Sequence, residues 1–225
     1  MAFEEHIKQA VASYVEAHLP PDDFYDGYFW FISDAALKSR LEDEYKTARY
    51  IYKLLEGLQV ENALLVAQSK LQILLYASIY EAVLHHVVLQ DYAGTPEVDK
   101  LTTYQHKKPI NISTEIREKI QKTYNPVGVI SVFENESKPV DERKIVFEDK
   151  AEAACKLGLI DEKIRDIICE VYSMRNAIHL HAELRRGVTY DLDAAKEAYW
   201  YLQGFTDQIG NKLEQDGKAV RPAKP

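Results

Sequence analysis

The sequence predicts an all-α fold, a helical bundle that carries a small β-hairpin insertion. Apolar residues recur at helical spacing through most of the chain, while β-branched and aromatic runs occur together only at 127–133 and 144–147. The 225 residues are 46% hydrophobic and 28% charged, which is typical of a folded globular chain. We therefore predict one domain over residues 1–215, with an insertion at 92–148 and a disordered tail at 216–225.

The first part of the chain is predicted to form three helices. The first covers 4–18 and ends at the prolines at 20–21, because proline cannot continue the hydrogen-bond ladder. The aromatic run 24–31 is predicted to be a loop or short turn that fills the core. A second helix, capped by Ser33 or Asp34, should end near Gly57. A third, 61–90, is apolar all round in its middle, so it should lie at the centre of the bundle.

The rest of the chain is predicted to hold the insertion and the closing helices. Segment 91–109 is predicted to be a loop, and a short helix should cover 111–122. The two β-like runs should pair across a polar turn at 134–142 and form the hairpin. The predicted closing helices are 150–157, a helix capped by Asp161 that continues through His181, and, after a turn at 185–190, a helix from Asp191 or Asp193 to Lys212.

Most of the polar chemistry is concentrated in the segment 174–181, Met-Arg-Asn-Ala-Ile-His-Leu-His. Arg175 and His179 are four residues apart, so a continuous helix would place them on one face. His181 is displaced by about 120° around such a helix. The stretch 171–186 carries three arginines against one glutamate, in a chain whose net charge is −8. This segment is therefore the predicted anion-facing patch.

These residue types suit the cleavage of RNA by its own 2′-hydroxyl. A group that moves protons near neutral pH is needed, and histidine has that property. A fixed cation is needed against the charge that builds on the phosphate, and an arginine fork supplies it. Asn176 could orient these groups or hold the substrate. The reaction requires no metal, and we predict no cofactor.

The motif resembles that of the HEPN (higher eukaryotes and prokaryotes nucleotide-binding) family. Arg175-Asn176 followed by His181 fits its R-x(4–6)-H pattern, and the order of elements is similar over about 60–212: a long apolar helix with Tyr80-Glu81, an insertion, the motif helix and a closing helix. The resemblance implies a helical bundle that forms a homodimer in which two motifs face each other. It also implies metal-independent endoribonuclease activity, often in toxins or antiviral effectors.

The resemblance also implies roles for individual residues. Arg175 and His181 would be catalytic, Asn176 would support them, and Glu81 would be an inward polar group from the long helix. His179 gives the shorter spacing R-x(3)-H, so either histidine could fill the motif. Arg185, Arg186 and Tyr190, which follow the motif, are further candidates for substrate binding or support.

A second hypothesis, a non-catalytic module, stays open beside the enzyme. In it the same helices form a dimerisation or regulatory subunit that binds a nucleotide or a protein partner. An arginine and two histidines at a helix end can simply stabilise the helix dipole. Glu81 and Arg175 can form a structural ion pair. The pair His85-His86 and the run 49–52 are interpreted as ordinary helix surface and core.

Charge and hydropathy limit the partners. A net charge of −8 excludes a broad basic surface that would coat nucleic acid, so we expect short or exposed RNA as substrate. A neutralising or activating protein is a further partner compatible with a toxin. The most apolar stretch, 71–80, is far shorter than the roughly 20 residues that span a bilayer. Cys155 and Cys169 have no metal-site spacing and are predicted to be reduced. We expect a cytoplasmic protein with no membrane contact.

Overall fold

Helices dominate the structure, a computed structural model that describes residues 2–124 and 131–222. The described residues contain ten α-helices and one two-stranded antiparallel sheet, so the predicted all-α class is confirmed. The chain divides into a main unit, Met1–Ala93 with Phe147–Pro225, and an inserted unit, Gly94–Val146. The predicted insertion covers 92–148, and the inserted unit begins at Gly94 and ends at Val146.

The helices are, in chain order, α1 (Glu5–His18), α2 (Asp22–Asp26), α3 (Ala35–Gly57), α4 (Asn62–His86), α5 (Pro96–Thr102), α6 (Thr114–Tyr124), α7 (Phe147–Lys156), α8 (Glu162–Asn176), α9 (Leu180–Arg186) and α10 (Leu192–Gln215). The strands are β1 (Thr103–Ile110) and β2 (Val132–Pro139). A π-helical turn, Val87–Asp91, extends α4, and a 3₁₀ turn covers Glu142–Lys144.

Helix α4 is the centre of the main unit, as its apolar sequence predicts. It packs against α3, α7, α8 and α10. Ile73, Tyr76 and Tyr80 on α4 are buried, and the Tyr80 hydroxyl donates to the Ala198 carbonyl of α10 over 2.6 Å. By length and composition alone, the helix and its π-turn could cross a membrane. However, 56% of their most apolar stretch is buried inside the chain. A core helix has this property too.

Local sequence explains where several helices begin. The side chains of Asp34, Asp161 and Asp191 each accept a hydrogen bond from a backbone N–H in the first turn of α3, α8 and α10. An aspartate in this position satisfies an N–H that has no partner within the helix. The aromatic run at 24–31 fills the core as predicted, with Tyr25, Phe29 and Phe31 buried, although its first residues form α2. Both cysteines are free.

The hairpin in the inserted unit is not the predicted one. β1 pairs with β2, from Thr103 opposite Pro139 to Ile110 opposite Val132. The predicted loop at 91–109 and polar turn at 134–142 are therefore wrong over these strands, and the predicted strand at 144–147 is wrong because Phe147 begins α7. β1 and β2 contain no buried residue, and their sequences lack the apolar–polar alternation that marks a half-buried strand. Residues 127–130 of the other predicted strand lie outside the described residues.

The C-terminal segment also differs from the disordered tail predicted at 216–225. The Tyr92 hydroxyl donates to the Asp216 carboxylate, and Lys218 Nζ donates to the Asp91 carbonyl over 2.7 Å. Arg221 lies over the Trp30 ring at 4.6 Å. These contacts hold residues 216–221 against the main unit, and 223–225 lie outside the described residues.

Candidate functional site

The predicted motif helix ends inside the motif. α8 stops at Asn176, and Ala177 is its buried C-cap. His179 is extended, with φ −68° and ψ 128°, and α9 begins at the next residue. The prediction of one helix through His181 is therefore wrong, and Arg175 and His179 do not share a helical face. The predicted turn at 185–190 is wrong at its start, since Arg185 and Arg186 close α9.

Contacts from α9 and the segment after it stabilise this helix end. Arg186 Nη1 lies 3.2 Å from Ser173 Oγ and 3.4 Å from the Ser173 carbonyl. The buried Tyr190 donates to the Met174 carbonyl over 2.9 Å. The same two carbonyls also accept from the backbone N–H of the C-cap residue Ala177, so the side chains add hydrogen bonds to a helix end that the backbone already caps. Arg186 and Tyr190 thus support the end of α8.

The structure brings Arg175, Asn176 and Glu81 together. Arg175 Nη1 donates to Asn176 Oδ1 over 3.0 Å, and its Nη2 lies 3.8 Å from Glu81 Oε2. The guanidinium also lies 5.3 Å from the centre of the Tyr172 ring. The Arg175 and Glu81 side chains are 33% and 34% exposed, so this is a surface cluster whose cation remains open to an anionic ligand. We call these four residues the Arg175 cluster.

Tyr172 also belongs to this cluster, although it is not among the predicted site residues. Its hydroxyl donates to Glu81 Oε1 over 2.9 Å, and its ring stacks on Phe147 with centroids 4.1 Å apart. Burial, and then the bond to the Glu81 carboxylate, raise the pKa of Tyr172 to about 12. The phenol therefore stays protonated at neutral pH and donates a hydrogen bond to Glu81. Its position three residues before Arg175, on the same helical face, was the available signal.

Lys150 of α7 adds a second cation near Glu81. The residue is 4% exposed, and the charge of Glu81 favours its protonated form. Burial outweighs that attraction and lowers the pKa of Lys150, because a charged amine loses its hydration. The charge of Glu81 thus acts on cations from two different helices.

The two histidines lie beyond the cluster. His179 and His181 are exposed, and neither imidazole has a hydrogen bond or ion pair with any residue that the structure describes. The structure therefore does not join them to Arg175. Arg185 is also exposed, on the last turn of α9. Glu183 anchors α9 to α4 through Lys70, with 2.7 Å between Nζ and Oε2.

A groove of about 530 Å³ adjoins Glu81 along α4. Its polar lining includes Asp34, Ser78 and His86. His86 Nε2 lies 3.2 Å from Ser33 Oγ and 3.9 Å from Asp91 Oδ2. Across the described residues, no group of three or more His, Cys, Asp or Glu side chains has an arrangement that could hold a metal ion.

The comparisons with known proteins give this site no relative. No family model matches the chain, and no curated protein or solved structure is significantly similar to it.

Proposed function

We propose that the chain is a HEPN-like, metal-independent endoribonuclease that acts as a homodimer. The observation that carries the proposal is the Arg175 cluster, a partly exposed guanidinium fixed by Asn176, Glu81 and Tyr172, with two solvent-facing imidazoles within the next six residues. A cation held in place before substrate arrives suits the stabilisation of charge on a phosphate. Imidazole is the side chain that most often serves as general acid or base in proton transfer.

The reaction would proceed by transesterification within the RNA. One imidazole takes the proton of a 2′-hydroxyl, whose oxygen forms a bond to the adjacent phosphorus. The bond from phosphorus to the 5′-oxygen breaks, and an imidazolium gives that oxygen a proton. The products are a 2′,3′-cyclic phosphate and a free 5′-hydroxyl. The Arg175 guanidinium would offset the negative charge on the phosphate oxygens, and two imidazoles would come most simply from two copies of the motif.

An exposed stripe on α4 supports the homodimer. Leu64, Ala67, Leu71 and Leu74 are all exposed, and their spacing of three, four and three residues is that of a coiled-coil seam. The same register continues through Ser78 to Glu81. Exposed leucines in such a row mark an interaction surface. A second copy packed along the stripe would bring two Arg175 clusters towards one interface.

Cleavage assays with point variants test the activity. Wild-type protein in EDTA is incubated with labelled single-stranded RNA, beside Arg175→Ala, His179→Ala and His181→Ala. We expect cleavage to a cyclic phosphate that falls at least 100-fold in Arg175→Ala and in the variant of the catalytic histidine. His6→Ala, at a histidine 75% exposed on α1, is the matched control. No cleavage by wild type on several RNAs, or equal cleavage by all variants, would refute the proposal.

The dimer is tested separately with Leu71→Glu. A charge in the stripe should convert a dimer into a monomer in sedimentation experiments and abolish cleavage, because the composite site is lost. Lys100→Glu, in the inserted unit, is the control. A wild-type monomer that cleaves RNA would contradict the dimeric mechanism alone.

The second candidate is the binding module without catalysis. It is favoured by the contacts of Glu81, whose two carboxylate oxygens face Tyr172 and Arg175 and brace α4 against α8. In that case the protein should dimerise, Leu71→Glu should still convert the dimer into a monomer, and no RNA should be cleaved. The two assays together therefore distinguish the candidates.

A further inference from the structure

A second cavity lies between α3, α4 and α10, away from the residues of the Arg175 cluster. Its volume is about 180 Å³, enough for one small chemical group. The lining contains three cations, Arg49, Lys53 and Lys196, and one carboxylate, Glu56. Four aromatic residues complete it: Tyr52, Tyr76, Tyr199 and Trp200. A lining rich in both cations and flat rings is suited to an anion carried on an apolar body.

Arg49 is the cation in this cavity with no acidic partner. Lys53 pairs with Glu56 over 2.5 Å, and Lys196 lies 3.7 Å from the exposed Asp193. Arg49 forms no ion pair with the described residues, and its Nε is buried with no hydrogen-bond acceptor among them. Its guanidinium lies 4.3 Å from the centre of the Tyr199 ring. The guanidinium of Arg49 thus lies against the Tyr199 ring, and its buried Nε lacks an acceptor among the described residues.

The Tyr76 hydroxyl, which lies close to Arg49 in the same lining, is a second sign of a missing ligand. The residue is 1% exposed, it lines the cavity, and its buried hydroxyl has no hydrogen-bond partner among the described residues. Buried polar groups in folded proteins normally have partners, so an unpaired one needs a reason. Burial raises the pKa of Tyr76 and keeps the phenol protonated. By contrast, Gln72 in the same lining donates to the Ala48 carbonyl over 3.1 Å.

We propose that this cavity is a binding site for a small phosphate monoester that carries a flat ring. The phosphate oxygens would accept from Arg49 Nε and the Tyr76 hydroxyl, two buried donors of the lining that have no partner among the described residues. Arg49 has no acidic partner among the described residues and the partner of Lys196 is 92% exposed, so the lining keeps an excess of positive charge that an anion would offset. The ring would lie at the mouth, where Trp200 is 65% exposed and offers an aromatic face. The site stands independently of the ribonuclease proposal.

Calorimetric titration of the full chain tests the ligand class with three probes: phenyl phosphate, benzoate and inorganic phosphate. We expect phenyl phosphate to bind most tightly, benzoate at least five-fold more weakly because it carries one charge, and inorganic phosphate more weakly because it lacks the ring. Failure of phenyl phosphate to bind at millimolar concentration would overturn the proposal. Tighter binding of benzoate than of phenyl phosphate would overturn the assignment to a phosphate monoester.

Two tyrosines of α4 provide a matched pair of variants. Tyr76→Phe removes an unpaired hydroxyl, so the variant should melt at the same or a higher temperature and yet bind phenyl phosphate at least five-fold more weakly. Tyr80→Phe removes a hydroxyl bonded to Ala198, so it should melt lower and bind as wild type does. A merely structural role for Tyr76 would leave affinity unchanged, which would overturn the proposal. Arg49→Lys should lose at least ten-fold in affinity, whereas Arg40→Lys on the same helix should lose none.

Discussion

Arg175 and Arg49, two half-buried arginines of the main unit, differ in the groups that contact their guanidinium. Arg175 has an amide acceptor in Asn176 and a carboxylate in Glu81, and it stays one-third exposed. Arg49 is held by the faces of Tyr199 and Tyr52, and its buried Nε has no acceptor among the described residues. A cation with protein acceptors can be structural without any ligand. A buried N–H without one has a cost that a ligand would remove.

The first test of this difference replaces each arginine by lysine, which keeps the positive charge and removes the planar guanidinium. Arg175→Lys should reduce RNA cleavage about 100-fold, since a lysine cannot form two parallel bonds to a phosphate. Arg49→Lys should leave cleavage unchanged. The measurement is the single-turnover rate on labelled RNA at saturating protein. Equal losses in both variants would mean that the two positions do not have separate functions.

Helical periodicity predicts most of the main unit, but contacts between distant segments set the details of the site. The apolar run of α4 places that helix at the centre, and Asp34, Asp161 and Asp191 mark helix starts. No proline or glycine marks the end of α8 at Asn176. The side chains of Arg186 and Tyr190 contact carbonyls of its last turn. No periodicity predicts such a tertiary contact.

The same limit applies to the site residues. The ion pair of Glu81 with Arg175 could be predicted from the sequence, because both are polar residues on helices predicted to pack in one bundle. Lys150 was missed because its burial depends on how α7 packs. The run at 49–52 was interpreted as ordinary helix surface and core, since the sequence does not reveal that Arg49 faces Tyr199 across the cavity. The exposed strands β1 and β2 have no hydrophobic alternation, so their pairing was missed as well.

The second test compares a satisfied and an unsatisfied hydroxyl within α4. Tyr80→Phe should lower the free energy of unfolding by about 1.5 kcal/mol, because it removes a buried hydrogen bond. Tyr76→Phe should change it by about 0.5 kcal/mol or less, or raise it, because no bond is lost. Urea denaturation monitored by circular dichroism measures both. A large loss in Tyr76→Phe would show that the hydroxyl has a partner in solution, and the contrast between Arg49 and Arg175 would weaken with it.

The smallest expected effect concerns Lys150, the other buried cation, which resembles Arg49 in its burial and Arg175 in its proximity to Glu81. Lys150→Met should raise the free energy of unfolding by about 1 kcal/mol at pH 7, because a buried charge is replaced by an apolar side chain of similar length. Lys156→Met, at an exposed position on α7, should change it by about 0.5 kcal/mol or less.

The pH dependence of that gain identifies its cause. Burial lowers the pKa of Lys150 in the folded chain below its ordinary value of 10.5, so in the window between the two values the unfolded chain binds more protons. Wild-type stability attributable to Lys150 therefore rises with pH across that window, and below it the full cost of the buried charge is present. The advantage of Lys150→Met should be constant below that window and shrink as the pH rises through it towards 10.5. A constant advantage up to that pH would mean that apolar packing, and not the buried charge, accounts for the gain.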